Sequence, residues 1–377
     1  MNIVFCLFQY FPFGGLQRDF LKIAQLCCER GHHVCVLTKS WHGEKAKDLE
    51  IAEMPVKALS NHAQAEQFSR LVAARLERLS HDVVVGFNKM PGLDVYFAAD
   101  PCYQFRVKEA KSVFYRLTPR YRSLLALERS VFDPAQNTEI LLLSPSEKDK
   151  YIASYHTPDH RFHLLPPGIS ETCFRKNGSD QNRALLRQSL NLREEDLFLL
   201  MVGSAFHTKG VDRTIRALSS LPDFMKHRCC LYIIGKGQSG RLIALAKKLG
   251  VADRVNFLGG RNDVPKFLQA ADLLVHPART ENTGTVLVEA MAAGLPVLTT
   301  ANCGYAFHVK SAQAGVVLDE PFDQNSLNRV LSDVLSQPDL AQFRQNGLAY
   351  TRDNDVTSLH QKAVEIIEKV AARRTAS

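Results

Sequence analysis

Two glutamates, Glu281 and Glu289, lie eight positions apart in the segment E-N-T-G-T-V-L-V-E-A-M-A-A-G-L-P. A short apolar run, D-L-L-V-H-P, precedes this segment and predicts a buried strand. Gly284 and Thr285 stand between the two glutamates and predict the start of a helix. The order along the chain is therefore strand, loop carboxylate, glycine, helix and second carboxylate.

This order favours a site for a sugar nucleotide. The N–H groups and the dipole of a helix N-terminus favour a bound phosphate. Carboxylates beside a phosphate repel it, so Glu281 and Glu289 need another partner, and sugar hydroxyls are natural donors to them. The alternative is an ordinary helix with two surface glutamates, which the spacing alone would favour. The order of the elements favours the sugar nucleotide.

Two further strand-turn-helix junctions carry groups suited to a phosphate. Gly14 and Gly15 follow the first predicted strand, where glycine lets a ligand approach the backbone, although a plain tight turn is an equal alternative. Lys209 precedes a helix predicted to begin near Gly210, where a cation would stabilise a departing diphosphate. The alternative for Lys209 is a solvated side chain. The glycines do not follow G-x-G-x-x-G, which argues against a dinucleotide-binding fold.

Other polar residues lie at predicted element ends. Asp19 lies near the start of the first helix, where a site role and an ordinary dipole-stabilised acid are equal alternatives. Asp100 ends a strand and could orient an acceptor hydroxyl or take its proton, unless it is only a turn residue. In G-R-N-D-V, Asn262 or Asp263 is expected to cap a helix. The D-x-D string at Asp353 lies between two C-terminal helices, so it predicts a cap, and no metal site is expected.

The length and the element pattern predict the domain organisation. A chain of 377 residues exceeds one typical core. Alternating strands and helices predict parallel sheets with helices on both faces, interrupted by the linker L-L-P-P-G-I-S. We predict an α/β protein of two doubly wound, Rossmann-like domains, 1–165 and 166–355, facing a central cleft. The C-terminal helix, 356–377, is expected to pack back on the N-terminal domain.

The predicted strands of the first half are 3–8, 33–38, 82–87, 95–98 and 139–143. Those of the second half are 197–202, 230–234, 255–258, 273–275 and 297–299. Early helices are predicted at 16–30 and 66–79, and the last three at 324–336, 340–351 and 356–372.

Composition excludes several classes of protein. No apolar run is long enough to span a bilayer, and the N-terminus predicts a first strand rather than a signal peptide. Nine cysteines without a C-x-x-C favour reduced thiols in the cytosol over a disulfide framework or a zinc site.

Residues 103–132 form a basic segment. It holds seven Lys or Arg against two Glu, a net charge of +5 in a chain of net charge +8. This local excess implies an anionic surface as partner, and the interleaved aromatic residues predict one or two interfacial helices, interrupted near Pro119. The alternative is a solvated face over buried core residues. No nucleic-acid motif accompanies the segment, so a membrane is expected and a nucleic acid is not. The cations expected to bind the membrane are Arg106, Lys108, Lys111, Arg116, Arg120 and Arg122.

Taken together, these motifs resemble the retaining glycosyltransferases of family 4, which have the GT-B fold and include sucrose and glycogen synthases. The two glutamates, with Gly294 and Pro296 in the G-L-P-V-L sequel, match the signature of that family. The resemblance spans the chain. It is closer to family members that build the core of lipopolysaccharide in F-P-F-G-G-L-Q-R-D-F, V-G-F-N-K-M-P-G-L-D-V-Y-F-A-A-D and T-T-A-N-C-G-Y-A.

The resemblance implies a retaining glucosyltransferase that needs no metal or cofactor. Its donor substrate would be UDP-glucose, and its acceptor an inner-core heptose linked to lipid A, which receives the first outer-core glucose. It also implies a cytoplasmic enzyme held peripherally on the inner face of the inner membrane. The alternatives are a related transferase with another donor or lipid-linked acceptor, and an inactive sugar-binding protein at the membrane surface. Intact Glu281 and Lys209 argue against the inactive protein.

The resemblance also implies a role for each site residue. Glu281 would hold the transferred sugar and Glu289 the ribose hydroxyls. The diphosphate would be held by Lys209, by the Gly14-Gly15 turn, and by the amides of Thr285 and Val286 that follow Gly284. Arg261 would flank the uracil, and Asp19 and Asp100 would face the acceptor. One departure is that Thr208-Lys209-Gly210 stands where the family often has Arg-Lys-Gly, so one cation of the diphosphate site is missing or supplied elsewhere.

Overall fold

The structure is a computed structural model that describes residues 1–12, 14–110, 112–176, 178–336 and 340–375. The chain forms two compact units, one made of Met1–Pro166 with Ser358–Ser377 and the other of Pro167–Thr357. The boundary between Pro166 and Pro167 lies inside the segment L-L-P-P-G-I-S that predicts a linker. The sequence-based boundaries at 165 and 355 fall one and two residues from these positions.

Seven parallel strands form the sheet of the first unit. They are β1 (Asn2–Tyr10), β2 (His33–Trp41), β3 (Glu50–Glu53), β4 (Val83–Gly86), β5 (Val95–Ala98), β6 (Glu139–Leu142) and β7 (Phe162–Leu164). Their order across the sheet is β3-β2-β1-β4-β5-β6-β7. The sheet is wound outward from β1 in both directions, so the loops that follow the carboxyl ends of its strands share one edge.

Six parallel strands form the sheet of the second unit. They are β8 (Leu197–Val202), β9 (Cys229–Ile234), β10 (Val255–Gly259), β11 (Leu273–His276), β12 (Val297–Thr300) and β13 (Gly315–Leu318). Their order is β10-β9-β8-β11-β12-β13, with β8 and β11 at the centre. The predicted class, two doubly wound α/β domains, is confirmed.

Fifteen helices are present in the described part of the chain. They are α1 (Gly15–Glu29), α2 (Asn61–Leu76), α3 (Tyr103–Ala110), α4 (Pro119–Phe132), α5 (Pro145–Tyr155), α6 (Ser179–Ser189), α7 (Val211–Ser219), α8 (Asp223–Lys226), α9 (Gly240–Lys248), α10 (Val264–Ala270), α11 (Thr285–Ala292), α12 (Ala306–Ala312), α13 (Gln324–Ser336), α14 (Leu340–Asp353) and α15 (Leu359–Thr375). None of these helices is both long and apolar enough to cross a membrane.

The C-terminal helix α15 belongs to the first unit. Its apolar side chains, among them Leu359, Val364 and Ile367, are buried in the same core as Phe20 of α1. The carboxylate of Glu368 pairs with Arg30 just beyond the end of α1, with 2.8 Å between Oε2 and Nη1. The chain therefore returns to its first unit after building the second.

The three strands that the sequence pattern did not predict, β3, β7 and β13, are all edge strands. Two of them, β3 and β7, are short and half-exposed, and neither carries a continuous apolar run. The sequences E-I-A-E and F-H-L illustrate this, because each mixes charged or polar residues with one or two apolar ones.

Candidate functional site

The second unit carries Lys209 and Glu281 at the carboxyl edge of its sheet. Lys209 lies in the loop after β8, and Glu281 lies in the loop after β11. Because β8 and β11 are neighbouring parallel strands, these two loops lie side by side. The structure therefore brings together two of the residues that were predicted to bind the donor, Lys209 for its diphosphate and Glu281 for its sugar.

The ammonium group of Lys209 forms an ion pair with Oε2 of Glu281. Both side chains are largely buried, with 19% and 16% of their surface exposed. Burial lowers the pKa of Lys209. Gly203 makes room for this lysine, because a Cβ at position 203 would lie 2.9 Å from its Cε. The pair is thus a desolvated cation and anion at the point where a ligand of this sheet would bind.

The backbone of Glu281 is pinned to the loop after β12. Its N–H donates to the carbonyl oxygen of Asn302 at 3.1 Å, and its own carbonyl accepts from the N–H of Gly304 at 3.0 Å. The N–H of Tyr305 also donates to the carbonyl of Thr283 at 2.7 Å. Glu281 therefore sits on a fixed loop, although no regular strand holds it.

The predicted helix start at Gly284-Thr285 is present as the N-terminus of α11. Gly284 is the N-cap residue, with φ of 79° and ψ of 50°, a left-handed conformation that favours glycine. The first-turn N–H groups of Thr285 and Val286 belong to the set that a helix leaves unpaired within itself. Glu289 lies one turn further along α11. The order of elements predicted from the sequence is the order observed.

Arg279 is a residue of this edge that the sequence analysis missed. Its guanidinium donates two hydrogen bonds of 2.8 Å to the carboxylate of Asp212 and one of 2.7 Å to the carbonyl of His207. Its backbone N–H donates to the carbonyl of Thr208 at 2.8 Å. A cation from the loop after β11 thus contacts the loop that carries Lys209. A sequence signal was available, because Arg279 stands two positions before Glu281.

His276 is a second residue that the sequence analysis missed. It is the last residue of β11, it is 1% exposed, and its Nε2 lies 3.7 Å from Oε2 of Glu281. Burial, together with the positive charge of Lys209, lowers the pKa of His276 to about 3. The imidazole is therefore neutral beneath the ion pair. A histidine that ends an otherwise apolar strand was the signal that could have identified it.

Arg261 lies in the loop that precedes α10, and its side chain contacts residues of that loop and of the helix. Its guanidinium binds both carboxylate oxygens of Asp263 at 2.7 and 2.8 Å and lies 4.8 Å from the centre of the Phe267 ring. Asp263 is the N-cap residue as predicted, but its side chain makes no capping hydrogen bond, because it pairs with Arg261 instead. The result is a planar cation fixed over an aromatic ring.

The first unit carries the other predicted site residues. Gly14 is the N-cap of α1, and Gly15 opens that helix. Asp19 is not a free acid, because its Oδ1 lies 3.1 Å from Nε2 of His360 on α15. Asp100 is exposed just beyond β5, and its carbonyl accepts a hydrogen bond of 3.0 Å from the hydroxyl of Tyr151. Asp100 is therefore the more accessible of the two carboxylates.

A cavity of about 340 Å³ opens at the carboxyl edge of the first unit's sheet. It is lined by Phe8 and Gln9 at the end of β1, by Lys39 of β2, and by residues of α2 and α4 that include His62 and Arg120. No Asp or Glu is among the described residues that line it. The cavity therefore offers cations and amides, which suit an anionic or hydroxyl-rich ligand.

The basic segment folds as α3, a 3₁₀ turn over Val113–Leu117, and α4. Pro119 begins α4 at its first position rather than interrupting a helix. Arg106, Lys108, Arg120 and Arg122 are exposed, Arg116 is half-buried, and Lys111 lies outside the described residues. The exposed apolar side chains are Phe114 and Leu117, at 80% and 64%, whereas Tyr103 and Phe132 are buried. Most of the aromatic residues are thus buried or half-buried, and the apolar part of this surface is narrower than the pattern predicts.

A buried carboxylate anchors the basic segment. Glu128 of α4 is fully buried, pairs with Lys89 at 3.1 Å, and accepts from the backbone N–H of Tyr103 at 2.8 Å. Glu147 of α5 accepts from the N–H of Cys102 at 2.7 Å. Two carboxylates therefore satisfy N–H groups at the start of α3, which fixes the segment directly after Asp100.

Metal ligands are not clustered in the described residues: no group of three or more His, Cys, Asp or Glu side chains there could hold a metal ion. All nine cysteines are free thiols.

Comparisons with known proteins point to one family. The family model described as glycosyl transferases group 1 matches residues 182–349. The lipopolysaccharide glucosyltransferase WaaG of Escherichia coli (strain K12) is 46% identical over 368 residues, which cover 97% of this chain and 98% of that protein. A crystal structure of WaaG, a glycosyltransferase involved in lipopolysaccharide biosynthesis, matches with a TM-score of 0.91 at 46% identity and covers 97% of this chain and 99% of that one. The structure of Anabaena Alr3699/HepE in complex with UDP shares the fold, with a TM-score of 0.73 at 19% identity, and covers 98% and 100% of the two chains.

Proposed function

The chain belongs to the group 1 glycosyltransferases, in the family of the lipopolysaccharide glucosyltransferase, and from this premise we propose that it transfers glucose from UDP-glucose to an inner-core heptose of lipopolysaccharide. Its two parallel-sheet units have the GT-B fold. The observation that carries the proposal is the desolvated pair of Lys209 and Glu281 at the carboxyl edge of the second unit's sheet. A cation suits the diphosphate of such a donor, and a carboxylate suits its sugar.

The donor would be bound by exchange of partners at this pair. Lys209 turns to the diphosphate, whose charge is also stabilised by the first-turn N–H groups of Thr285 and Val286. Glu281 then accepts hydrogen bonds from hydroxyls of the glucose. Glu289, one turn along α11, accepts from the ribose. The guanidinium of Arg261, fixed by Asp263, provides a flat surface beside the uracil.

The reaction breaks the bond between C1 of glucose and the diphosphate oxygen, and it forms a bond between C1 and the acceptor oxygen. The sugar passes through an oxocarbenium-like state while negative charge grows on the diphosphate. Lys209, already turned to the diphosphate when the donor is bound, stabilises that charge without further movement during the reaction. The acceptor attacks from the face that the diphosphate leaves, so the product is α, and the acceptor proton passes to the departing phosphate oxygen. No metal is required in this scheme.

The acceptor would be bound by the first unit. The cavity beside Lys39 and Arg120 offers cations and amides to the sugar, and Asp100 is an exposed carboxylate that could orient a hydroxyl. Asp19 would also face the acceptor. Because it contacts His360, we assign it a second role in holding the start of α1 against α15. An acceptor carried on lipid A requires the enzyme to work at a membrane, and the exposed cations of the basic segment would bind the anionic inner face of the inner membrane.

The test is transfer by the purified protein to heptosylated lipid A. With UDP-glucose we expect a product heavier by one hexose, with an α linkage by NMR and with activity unchanged in excess EDTA. UDP-galactose and UDP-N-acetylglucosamine serve as matched donors and should give little product. Preference for another donor would contradict the proposed substrate, and activity that EDTA abolishes and manganese or magnesium restores would contradict the metal-independent reaction.

A further inference from the structure

His276 lies under the Lys209–Glu281 pair, and its ring has no hydrogen-bond partner for either nitrogen within the described part of the chain. Native proteins pair nearly all their buried polar atoms, so a buried imidazole with two unpaired nitrogens needs an explanation. The residue is 1% exposed, so it is shielded from bulk solvent. Oε2 of Glu281 lies 3.7 Å from its Nε2, beyond hydrogen-bond distance.

The ring is held in place by the sheet. His276 pairs in register with Thr299 of β12, and its carbonyl accepts a hydrogen bond of 3.0 Å from the Thr299 hydroxyl. Pro277 follows and fixes the exit of the chain. The groups that face His276 are Lys209 from the loop after β8, Glu281 from its own loop, and the thiol of Cys303 from the loop after β12. Burial raises the pKa of that thiol, so it is uncharged.

Donor binding would change the surroundings of Glu281. In the structure its carboxylate is balanced by Lys209. If Lys209 turns to a diphosphate, the largely buried carboxylate loses its cation, and an unpaired buried charge is costly. A neutral imidazole still has one N–H to donate, and a shift of about 1 Å would shorten 3.7 Å to an ordinary hydrogen bond.

We propose that His276 is a positioning residue, which donates a hydrogen bond from Nε2 to Glu281 when Lys209 binds the diphosphate and thereby keeps this carboxylate directed at the transferred sugar. This inference rests on the proposed roles of Glu281 and Lys209. A neutral ring suits the task, because an imidazolium would repel Lys209. His276 touches neither substrate, so its effect reaches the reaction only through Glu281.

The experiment compares His276→Leu, which removes the N–H, with His276→Gln, which keeps one. For His276→Leu we expect kcat for glucose transfer to fall at least 10-fold, because the carboxylate is no longer oriented in the transition state. The Kd for UDP, which lacks the glucose, should stay within about twofold. His276→Gln should recover a large part of the lost kcat. The matched control is His308→Gln, since His308 is a buried histidine of the same unit whose Nδ1 lies 2.8 Å from the Tyr350 hydroxyl.

Three outcomes would overturn the inference. They are an unchanged kcat in His276→Leu, equal losses in the Leu and Gln variants, or a fall in kcat matched by an equal loss of UDP affinity, which would mark a purely structural residue. Should His276→Leu not fold, the double-mutant cycle of His276→Gln with Glu281→Gln decides, because additive effects would contradict action through Glu281. If Glu281→Gln itself leaves kcat unchanged, the proposed role of Glu281 fails instead.

Discussion

Arg279 and Asp212 join the loop after β11 to the first turn of α7, at the carboxyl edge of the second unit's sheet, through two hydrogen bonds of 2.8 Å. Arg279 follows β11, and Asp212 lies in the first turn of α7. The same guanidinium contacts the carbonyl of His207, next to Thr208, where the resemblance leads one to expect an arginine. A cation is therefore present at this loop, although it comes from a different part of the sequence.

The first prediction is that Arg279 replaces the arginine that is absent at position 208. Arg279→Gln should weaken UDP-glucose binding about 10-fold, because a charge-assisted contact to the diphosphate is lost. Adding Thr208→Arg to that variant should restore most of the affinity, whereas Arg216→Gln, at an exposed position of α7, should change nothing. Calorimetric titration with UDP measures the affinity. No rescue by Thr208→Arg would mean that Arg279 only holds the loop.

The second prediction divides the work of binding and turnover. Lys209→Ala should lower kcat most, by about 1000-fold, because it meets charge that develops in the transition state. Glu281→Gln should lower kcat by about 100-fold with little change in KM for the donor, and Glu289→Ala should mainly raise that KM, since ribose contacts persist through the reaction. Steady-state kinetics separates these effects, with Lys248→Ala on the surface of α9 as control. The assignment is wrong if all three variants only raise KM.

The third prediction concerns acid. Burial is the main cause that lowers the pKa of His276 to about 3 and that of His308 to about 4. An unfolded histidine titrates near 6.5, so below that pH the unfolded chain binds protons that the folded chain refuses. Above about pH 6.5 these two histidines therefore do not lower the free energy of unfolding. Below that pH the free energy of unfolding falls toward pH 4, by up to about 1.4 kcal/mol per pH unit for each histidine.

His308→Gln should make this loss of stability shallower by about one proton, as measured by urea unfolding at several pH values between 7 and 4.5. His227→Gln, at an exposed position of the same unit, should leave the slope as it is in the unchanged protein. The same slope in the His308 variant would show that this side chain is accessible to protons in the folded state.

How far the sequence predicted this molecule depends on the kind of element. Central strands such as β5 and β8 were predicted to the residue, because both of their faces are buried and their apolar runs are continuous. The edge strands β3 and β7 were missed, because their polar residues interrupt such runs, whereas the edge strand β10 was predicted. Glu281 and Lys209 were identified because each stands at a strand-turn-helix junction that can be recognised in the sequence.

The remaining site residues depend on contacts between elements that are far apart in sequence. Arg279 reaches across to Asp212, and Asp19 is matched with His360 more than 300 positions away. No periodicity encodes such a pairing. The basic segment shows the same limit, since its aromatic residues alternate with cations in the sequence, yet Phe114 is exposed in the fold while Tyr103 and Phe132 are buried. Charge could be predicted from the sequence, but exposure could not.

The last prediction tests the basic segment as a membrane-binding surface. Arg106, Lys108 and Arg122 are exposed there and lie outside the cavity beside Lys39. Each cation near an anionic surface contributes about 1 kcal/mol, so replacing all three with Ser should weaken binding to anionic vesicles by roughly 100-fold. Vesicle co-sedimentation measures this binding, which should also decrease at high salt. UDP binding should not change.

Two further variants separate charge from apolar contact. Replacing Arg70, Arg75 and Arg78, which are exposed on or just beyond α2, with Ser removes the same charge elsewhere on the first unit and should leave vesicle binding nearly intact. Replacing Phe114 and Leu117 with Ser should weaken binding at high salt as well as at low salt, because their insertion into the lipid does not depend on charge. If the two sets of three substitutions weaken binding equally, net charge rather than this surface attracts the protein. Equal binding of the unchanged protein to neutral and anionic vesicles would contradict the electrostatic mechanism itself.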